Sequence, residues 1–491
     1  MMAVSVRVIP LLLAAAAWTA APADAADGWQ PEVRLTADPG VSMPPPNNGR
    51  WIAVDSAGRV HVVFKDDRDR DFDIYHKVRS GGIWLDEQRV YDSGGDSERP
   101  VVAADGLGRV HLVWNDLQDD NKEIYHAIWN GSWNLPWRVT ETGGDSFASS
   151  TVVAGDIVHL VHMETIGGFY EIVYRAFDVL AWSDPVQLTD AGSGERMVPS
   201  IAAGPDGTLH AVWFDVPPGG HGRVIWRSCA AGSWSDPEEV SGPEANAFRP
   251  TAAVDGEGGV HVVWIDKRSG WEQIYYRRRG PEGWGPETLV TAGEYTHYHP
   301  SIVAAADTVT LIYWAAWPSA ETAGVFARTL EGDGWSARSR ISGSASKASL
   351  CCLSGEADGR LHAAWVDERH GDFEIYYAEY LPPGTGIGEH EEEQDPALPR
   401  APLSLAVAPN PFAGSARITL AVASGGPVSL SIYDAAGRLV RRVAAGTFAG
   451  GSHLLEWDGR DEAGRSAPPG VYFARARAGK QFAAAKIVMT R

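Results

Sequence analysis

Seven copies of one strand-like pattern recur between residues 59 and 365, and this periodicity limits the fold more than any single motif does. The copies are Arg59-Val-His-Val-Val-Phe64, Arg109-Val-His-Leu-Val-Trp114, Ile157-Val-His-Leu-Val-His162, Thr208-Leu-His-Ala-Val-Trp213, Gly259-Val-His-Val-Val-Trp264, Thr308-Val-Thr-Leu-Ile-Tyr313 and Arg360-Leu-His-Ala-Ala-Trp365. Their third positions lie 50, 48, 51, 51, 49 and 52 residues apart. Within each repeat an apolar run ending in an Asp-x-x-Gly turn precedes the histidine strand. A third strand such as Glu123-Ile-Tyr-His126 and a fourth opening with tryptophan follow it. Four short strands at a period near 50 describe an antiparallel propeller blade, not a helical repeat.

The tryptophan strands start at Trp29, Trp84, Trp133, Trp182, Trp234, Trp284 and Trp335, so one precedes the first full blade while the last blade, ending near Tyr380, has none. The strand over residues 29–36 is therefore expected to complete blade 7, which removes an open sheet edge. The fold class read from this pattern is all-β: a seven-bladed β-propeller over residues 26–380, followed by a second, smaller β domain.

Residues 1–25 read as a secretory signal, with Arg7 before an apolar run and Ala23-Asp24-Ala25 as a cleavage site. No later stretch has the roughly 18 apolar residues of a membrane helix, so no membrane span is expected in the mature chain, which is placed outside the cytoplasm, secreted or on the outer cell surface. The formal charge of −21 disfavours nucleic acid as a partner. Cys229, Cys351 and Cys352 form no disulfide framework and read as buried thiols.

Residues 381–402 hold Pro382, Pro383, Pro396 and the run Glu389-His-Glu-Glu-Glu393, the composition of an acidic, semi-extended linker. Over residues 403–491 strand alternation resumes, with turn signals at Asp434-Ala-Ala-Gly437 and Asp461-Glu-Ala-Gly464, as in a small β-sandwich. The motifs Pro409-Asn-Pro-Phe412, Ile432-Tyr-Asp-Ala-Ala-Gly-Arg-Leu-Val440, Trp457-Asp-Gly-Arg-Asp-Glu-Ala-Gly-Arg465 and Ser466-Ala-Pro-Pro-Gly-Val-Tyr-Phe473 appear in order. Together they resemble the immunoglobulin-like domain of flagellar hook-capping proteins and the similar C-terminal sorting domains of type IX secretion. The resemblance implies a partner in secretion or cell-surface attachment machinery, contacted through residues 403–491. A plain spacer sandwich is the alternative.

In the propeller, a glycine turn before tryptophan, as in Ser228-Cys-Ala-Ala-Gly-Ser-Trp234, resembles the Asp-box of sialidase-like (BNR-type) propellers, although the aspartate is missing. That family is six-bladed; it implies arginines holding a substrate carboxylate and a tyrosine–glutamate pair. Arg50, Arg99 and Arg249 precede first strands and can approach the central channel, but no nucleophile is assignable beside them. The histidine repeated in six blades reads as a structural residue, since ring symmetry prevents convergence on one metal. Asp66-Asp-Arg68, Asp266-Lys-Arg268 and Asp367-Glu-Arg369, with later acids at Asp73, Glu123 and Glu374, read as a repeated hairpin brace. No metal or cofactor is expected.

Blade 6 departs from the repeat. Thr310 replaces the histidine, Ala316 the loop aspartate, and Tyr295, His297, Tyr298, His299, Trp314 and Trp317 crowd two loops on one face. Aromatic rings stack on sugar faces while histidines bond hydroxyls, the make-up of a ligand site. Alternatively Trp314 fills the ordinary strand-two tryptophan position, displaced by one. The function expected is a non-catalytic propeller binding a carbohydrate or other extracellular polymer. A sialidase-like glycosidase and a structural or adhesive protein are the other two readings.

Overall fold

The computed structural model describes residues 28–490, apart from 38–39, 47–48, 119–120, 179, 191, 193, 317–322, 333, 344–345, 383–403, 409–411, 413, 423–425, 435–437, 449–450, 463 and 479–480. The signal segment, nearly all of the linker and Trp317 lie outside the described residues. The chain divides into two compact units, residues 1–386 and 387–491. Among the described residues no helix is long and apolar enough to cross a membrane.

The first unit holds seven antiparallel sheets, the blades of a propeller. Their first strands are Ile52–Val54, Ser97–Ala104, Ser146–Ala154, Glu195–Ala203, Ala247–Val254, Thr296–Ala305 and Ala348–Gly355. Each packs on the first strand of the next blade, and the last packs on the first, so they enclose a channel. Second strands are buried almost throughout; Val260–Asp266 has no exposed residue. Alternation at period two puts successive side chains into the two opposite inter-blade seams, so a strand sandwiched between blades is apolar on both faces.

The N-terminal segment closes the ring as the tryptophan count requires. Trp29 bridges Tyr380, and Val33–Arg34 pairs antiparallel with Tyr377 and Tyr376 of blade 7. Glu32 binds Arg369, just beyond the second strand of the same blade. The fourth strands are shorter than the tryptophan pattern suggests. In blade 1 Ile83–Trp84 pairs with the third strand, pairing then lapses, and Gln88–Tyr91 resumes it.

In blades 1, 2, 5 and 7 the repeated histidine ties strands together; in blade 3 His159 bonds Tyr174, and in blade 4 His210 stacks on Trp226. His61 Nδ1 lies 2.9 Å from His76 Nε2 on strand three, and His61 Nε2 lies 3.1 Å from Asp55 in the first hairpin turn. Blade 5 repeats this with Tyr276 at 2.8 Å and Asp255 at 3.0 Å, and blade 7 with Tyr377 at 2.7 Å and Glu356 at 2.8 Å. A buried imidazole with both nitrogens bonded carries no desolvation deficit, and the tie locks the turn to the blade.

The arginine brace exists, but its second acid differs from the one expected. Arg68 joins Asp66 to Glu87, Arg268 joins Asp266 to Glu287, and Arg369 joins Asp367 to Glu32. In each case the glutamate stands three residues after the fourth-strand tryptophan. Asp73, Glu123 and Glu374 are held by other arginines, Arg89, Arg138 and Arg34. The three cysteines are free and buried.

The second unit is a β-sandwich. A three-stranded sheet orders Ser404–Ala408, Ala416–Val422 and Gly451–Trp457, and a four-stranded sheet orders Leu439–Phe448, Gly426–Asp434, Gly470–Ala478 and Gln481–Met489. Phe412, Ile418, Leu430, Ile432, Trp457 and Tyr472 form its core.

Candidate functional site

The end of the channel where first strands begin is built from one local device. In blades 2 to 7 the first strand carries a β-bulge, recorded as a register shift between Glu98 and Val101, Phe147 and Ser150, Met197 and Ser200, Phe248 and Thr251, Tyr298 and Ser301, and Ser349 and Cys352. One residue in each bulge has positive φ: Arg99 at 54°, Ala148 at 54°, Val198 at 50°, Arg249 at 53°, His299 at 50° and Leu350 at 47°. Six non-glycine residues in a disfavoured region at equivalent places are a designed feature of the ring, because each costs of order 1 kcal/mol or more. A bulge re-aims its side chain, and here the re-aimed residues vary: Ala148 and Leu350 pack into inter-blade cores, while Arg99, Arg249 and His299 carry polar groups.

Arg99 and Arg249 enter from blades 2 and 5, yet each guanidinium lies within electrostatic range of the other. Burial lowers the pKa of both; Glu98 and Tyr170 partly offset this at Arg99 and Tyr298 at Arg249, where the Arg99 charge adds to the lowering. Arg99 stacks 5.3 Å from the Phe147 ring and forms no ion pair among the described residues. Glu98 beside it is turned to Lys122 at 2.9 Å and Lys65 at 3.5 Å. Arg249 donates to the Pro46 carbonyl. Two desolvated guanidiniums this close to one another favour an anion beside them.

Arg50 departs from the sequence expectation. It turns down the channel, donating to the Ile302 carbonyl of blade 6 at 3.5 Å. There it lines a cavity of about 160 Å³ together with Ala202, Ala253 and Val303. It does not join the other two arginines. Below it, the first hairpin turns of blades 3 to 7 line an open cavity of about 600 Å³.

Blade 6 supplies the aromatic half of the site: His297, Tyr298 and His299 lie on the strand Thr296–Ala305 itself, Tyr295 on the bend just before it as expected, and Trp314 on the strand Thr308–Ala316. Strand alternation separates them. Tyr298 stacks on Trp314 at 5.8 Å and 27°, with His299 at 5.9 Å from Tyr298 and 6.4 Å from Trp314. Phe248 adds an edge contact to Tyr298 at 6.4 Å. Tyr295 and His297 turn the other way, toward Tyr313; Tyr295 accepts a bond from Arg338 at 2.7 Å. Those two belong to the blade core, leaving Tyr298, His299 and Trp314 at the mouth. Tyr313, fully buried and stacked on Phe326, occupies the strand-two tryptophan position. Trp314 is thus an additional ring, not that tryptophan displaced.

Tyr298 donates to Glu272 at 2.8 Å, a residue the sequence did not single out. Glu272 also accepts from Thr296 at 2.6 Å and pairs with Lys267 at 3.0 Å. Burial alone would raise its pKa, but these three donors outweigh it and hold the carboxylate at about 2. Burial and the Glu272 bond push the Tyr298 hydroxyl up to about 12. Burial, with the Arg249 charge, depresses His299 to about 3, so its ring is neutral at pH 7. The mouth therefore presents fixed cations, a neutral imidazole and stacked rings.

A family model for the FlgD Ig-like domain matches residues 408–481. No curated protein matches the chain. Among solved structures, an ulvan lyase from a new family of polysaccharide lyase, bound to -[GlcA(1-4)Rha3S]-, is similar over 70% of this chain and 95% of its own, at 13% identity and a TM-score of 0.52. A protein of unknown function from Dyadobacter fermentans is similar over 72% and 99%, at 11% identity and a TM-score of 0.46. At such identities the likeness is one of fold.

Proposed function

We propose that the chain is an exported, surface-displayed propeller that binds a carbohydrate across the channel mouth without transforming it, and that residues 403–491 serve its secretion or attachment. The observation that carries the reading is the nearness of Arg249 both to the Tyr298–Trp314 stack and to Arg99. A half-buried aromatic pair offers a face to the apolar side of a sugar ring, and the guanidiniums select a ring that bears a carboxylate or sulfate. The ulvan lyase holds a GlcA- and Rha3S-containing chain on a similar fold, so such a scaffold accommodates an acidic polysaccharide. A glycan array probed with the full chain and with Trp314→Ala tests this. Acidic glycans retained by the wild type and lost by the variant support it, and equal signals from the two proteins count against it.

A sialidase-like hydrolase is the second reading, and the Tyr298–Glu272 hydrogen bond beside Arg249 favours it. The electrostatics weigh against it. A carboxylate held at about 2 is a poor base, and a phenol at about 12 is a poor nucleophile at neutral pH. Turnover of an acidic glycan that disappears in Glu272→Gln would establish the hydrolase instead.

A further inference from the structure

The C-terminal sandwich differs in charge from the rest of the chain. Residues 403–491 carry eleven Arg and Lys against five Asp and Glu, within a protein of net charge −21. The basic residues are not scattered over this unit. In the four-stranded sheet Arg442 pairs with Ser431, which pairs with Arg475 on its other side, so the three side chains share one face. Arg477, paired with Ser429, lies on that face two residues further along the strand. Val428, Leu430 and Ile432 alternate with these serines and are buried in the core, so the arginine face is the outer one.

All three arginines are exposed. Arg475 extends over the Tyr433 ring, its guanidinium carbon 5.6 Å from the centroid, which holds the charge above the sheet. Strand spacing sets Arg442 and Arg475 about 10 Å apart across the central strand, and Arg475 and Arg477 about 7 Å apart along theirs. One carboxylate reaches the sheet edge: Glu462 accepts from the Arg442 backbone amide at 2.6 Å.

We infer that the outer face of the four-stranded sheet, through Arg442, Arg475 and Arg477, docks on a polyanionic glycan. Arginine forks match carboxylate and sulfate in bidentate fashion, and an array spread over two strands fits a polymer with charges repeated along its length better than a single small anion. A bilayer is a poorer match: Phe473 and Leu439, both paired with Tyr433, are the large exposed apolar residues among these described registers, too little for interfacial insertion. The face belongs to the second unit, and the inference does not depend on the channel-mouth reading.

The test uses the full chain with Arg99→Gly and Arg249→Gly, which silence the mouth. Sodium polygalacturonate, neutral dextran and phosphatidylglycerol vesicles are the probes, in biolayer interferometry. Polygalacturonate binding that weakens with added salt, and that falls at least tenfold when Arg442, Arg475 and Arg477 are replaced by serine, is the expected result. The single charge reversal Arg475→Glu gives a second reading should the triple variant unfold, and a matching circular dichroism melt of the single variant certifies it. Undiminished binding by either folded variant overturns the inference, as does retention by vesicles without retention by polygalacturonate.

Discussion

Trp29→Ala tests ring closure at the residue that carries most of its apolar burial. Trp29 is 7% exposed, packs with Val303, Ala327 and Ala378, and meets the Tyr380 ring at 5.5 Å. A tryptophan buries about 150–250 Å², which at ~25 cal/mol per Å² corresponds to about 4–6 kcal/mol. Partial collapse of the site brings the expected loss to about 3–5 kcal/mol. For a domain of this size each kcal/mol moves the midpoint by about 2 °C, so calorimetry of the full chain should show the propeller transition lowered by roughly 6–10 °C. Because Trp29 reaches blade 7 from the other end of the chain, the loss should appear as faster unfolding and as early exposure of the Tyr377 edge in hydrogen exchange. A midpoint within 2 °C of the wild type (about 1 kcal/mol) would refute the claim that this segment holds the ring shut.

Three further outcomes are expected. Glu32→Gln removes the acid that joins the N-terminal segment to Arg369, whose other partner Asp367 remains at 2.5 Å; urea unfolding should show a loss of about 1–3 kcal/mol, larger than that of Glu239→Gln, an exposed partner of Arg223. His162 and His299 are depressed to about 3, and His159, His210 and His297 to about 4, all chiefly by burial. A histidine whose folded pKa lies below its unfolded value near 6.5 stabilises fully above that pH and loses the contribution as pH falls toward the folded value. Melting temperature should therefore be flat from pH 8 to about 7 and decline steeply from about pH 6 to 4; a flat profile down to pH 4 contradicts the burial of neutral imidazoles. His261→Phe keeps the ring volume but breaks the tie between Asp255 and Tyr276; about 2 kcal/mol of stability should go with it, read by chemical denaturation.

Blade count, closure and the role of the histidines were legible in the sequence because a repeat displays each residue type at a fixed strand position, and burial acts alike at each copy. The brace was misread in detail. Its real acids, Glu87, Glu287 and Glu32, stand beside the fourth strand, in the unpaired stretch after its tryptophan, and in blade 7 the partner comes from the opposite end of the chain, where local spacing gives no hint. The bulge ring was harder to see because its residues differ by design: Arg99, Ala148, Val198, Arg249, His299 and Leu350 share a backbone, not a chemistry. A signal was present in Pro100, Pro199, Pro250 and Pro300, which follow four of them. Of the residues proposed for a ligand, Arg99, Arg249, Tyr298, His299 and Trp314 meet at the mouth, whereas Tyr295 and His297 fall on the opposite strand face and Arg50 turns inward. Strand alternation in a bulged segment cannot be phased without knowing where the extra residue sits.

The most direct measurement is titration calorimetry of a glucuronate-containing disaccharide, too short to bridge Arg442, Arg475 and Arg477, into the full chain and into Arg99→Gly/Arg249→Gly. Glycine tolerates the positive φ at both positions, so the backbone of the mouth is kept while both charges are removed. The account predicts binding by the wild type, a loss of at least tenfold in the double variant, and no binding of the uncharged glucose analogue. Equal affinity of the two proteins for the acidic sugar would contradict a channel-mouth site.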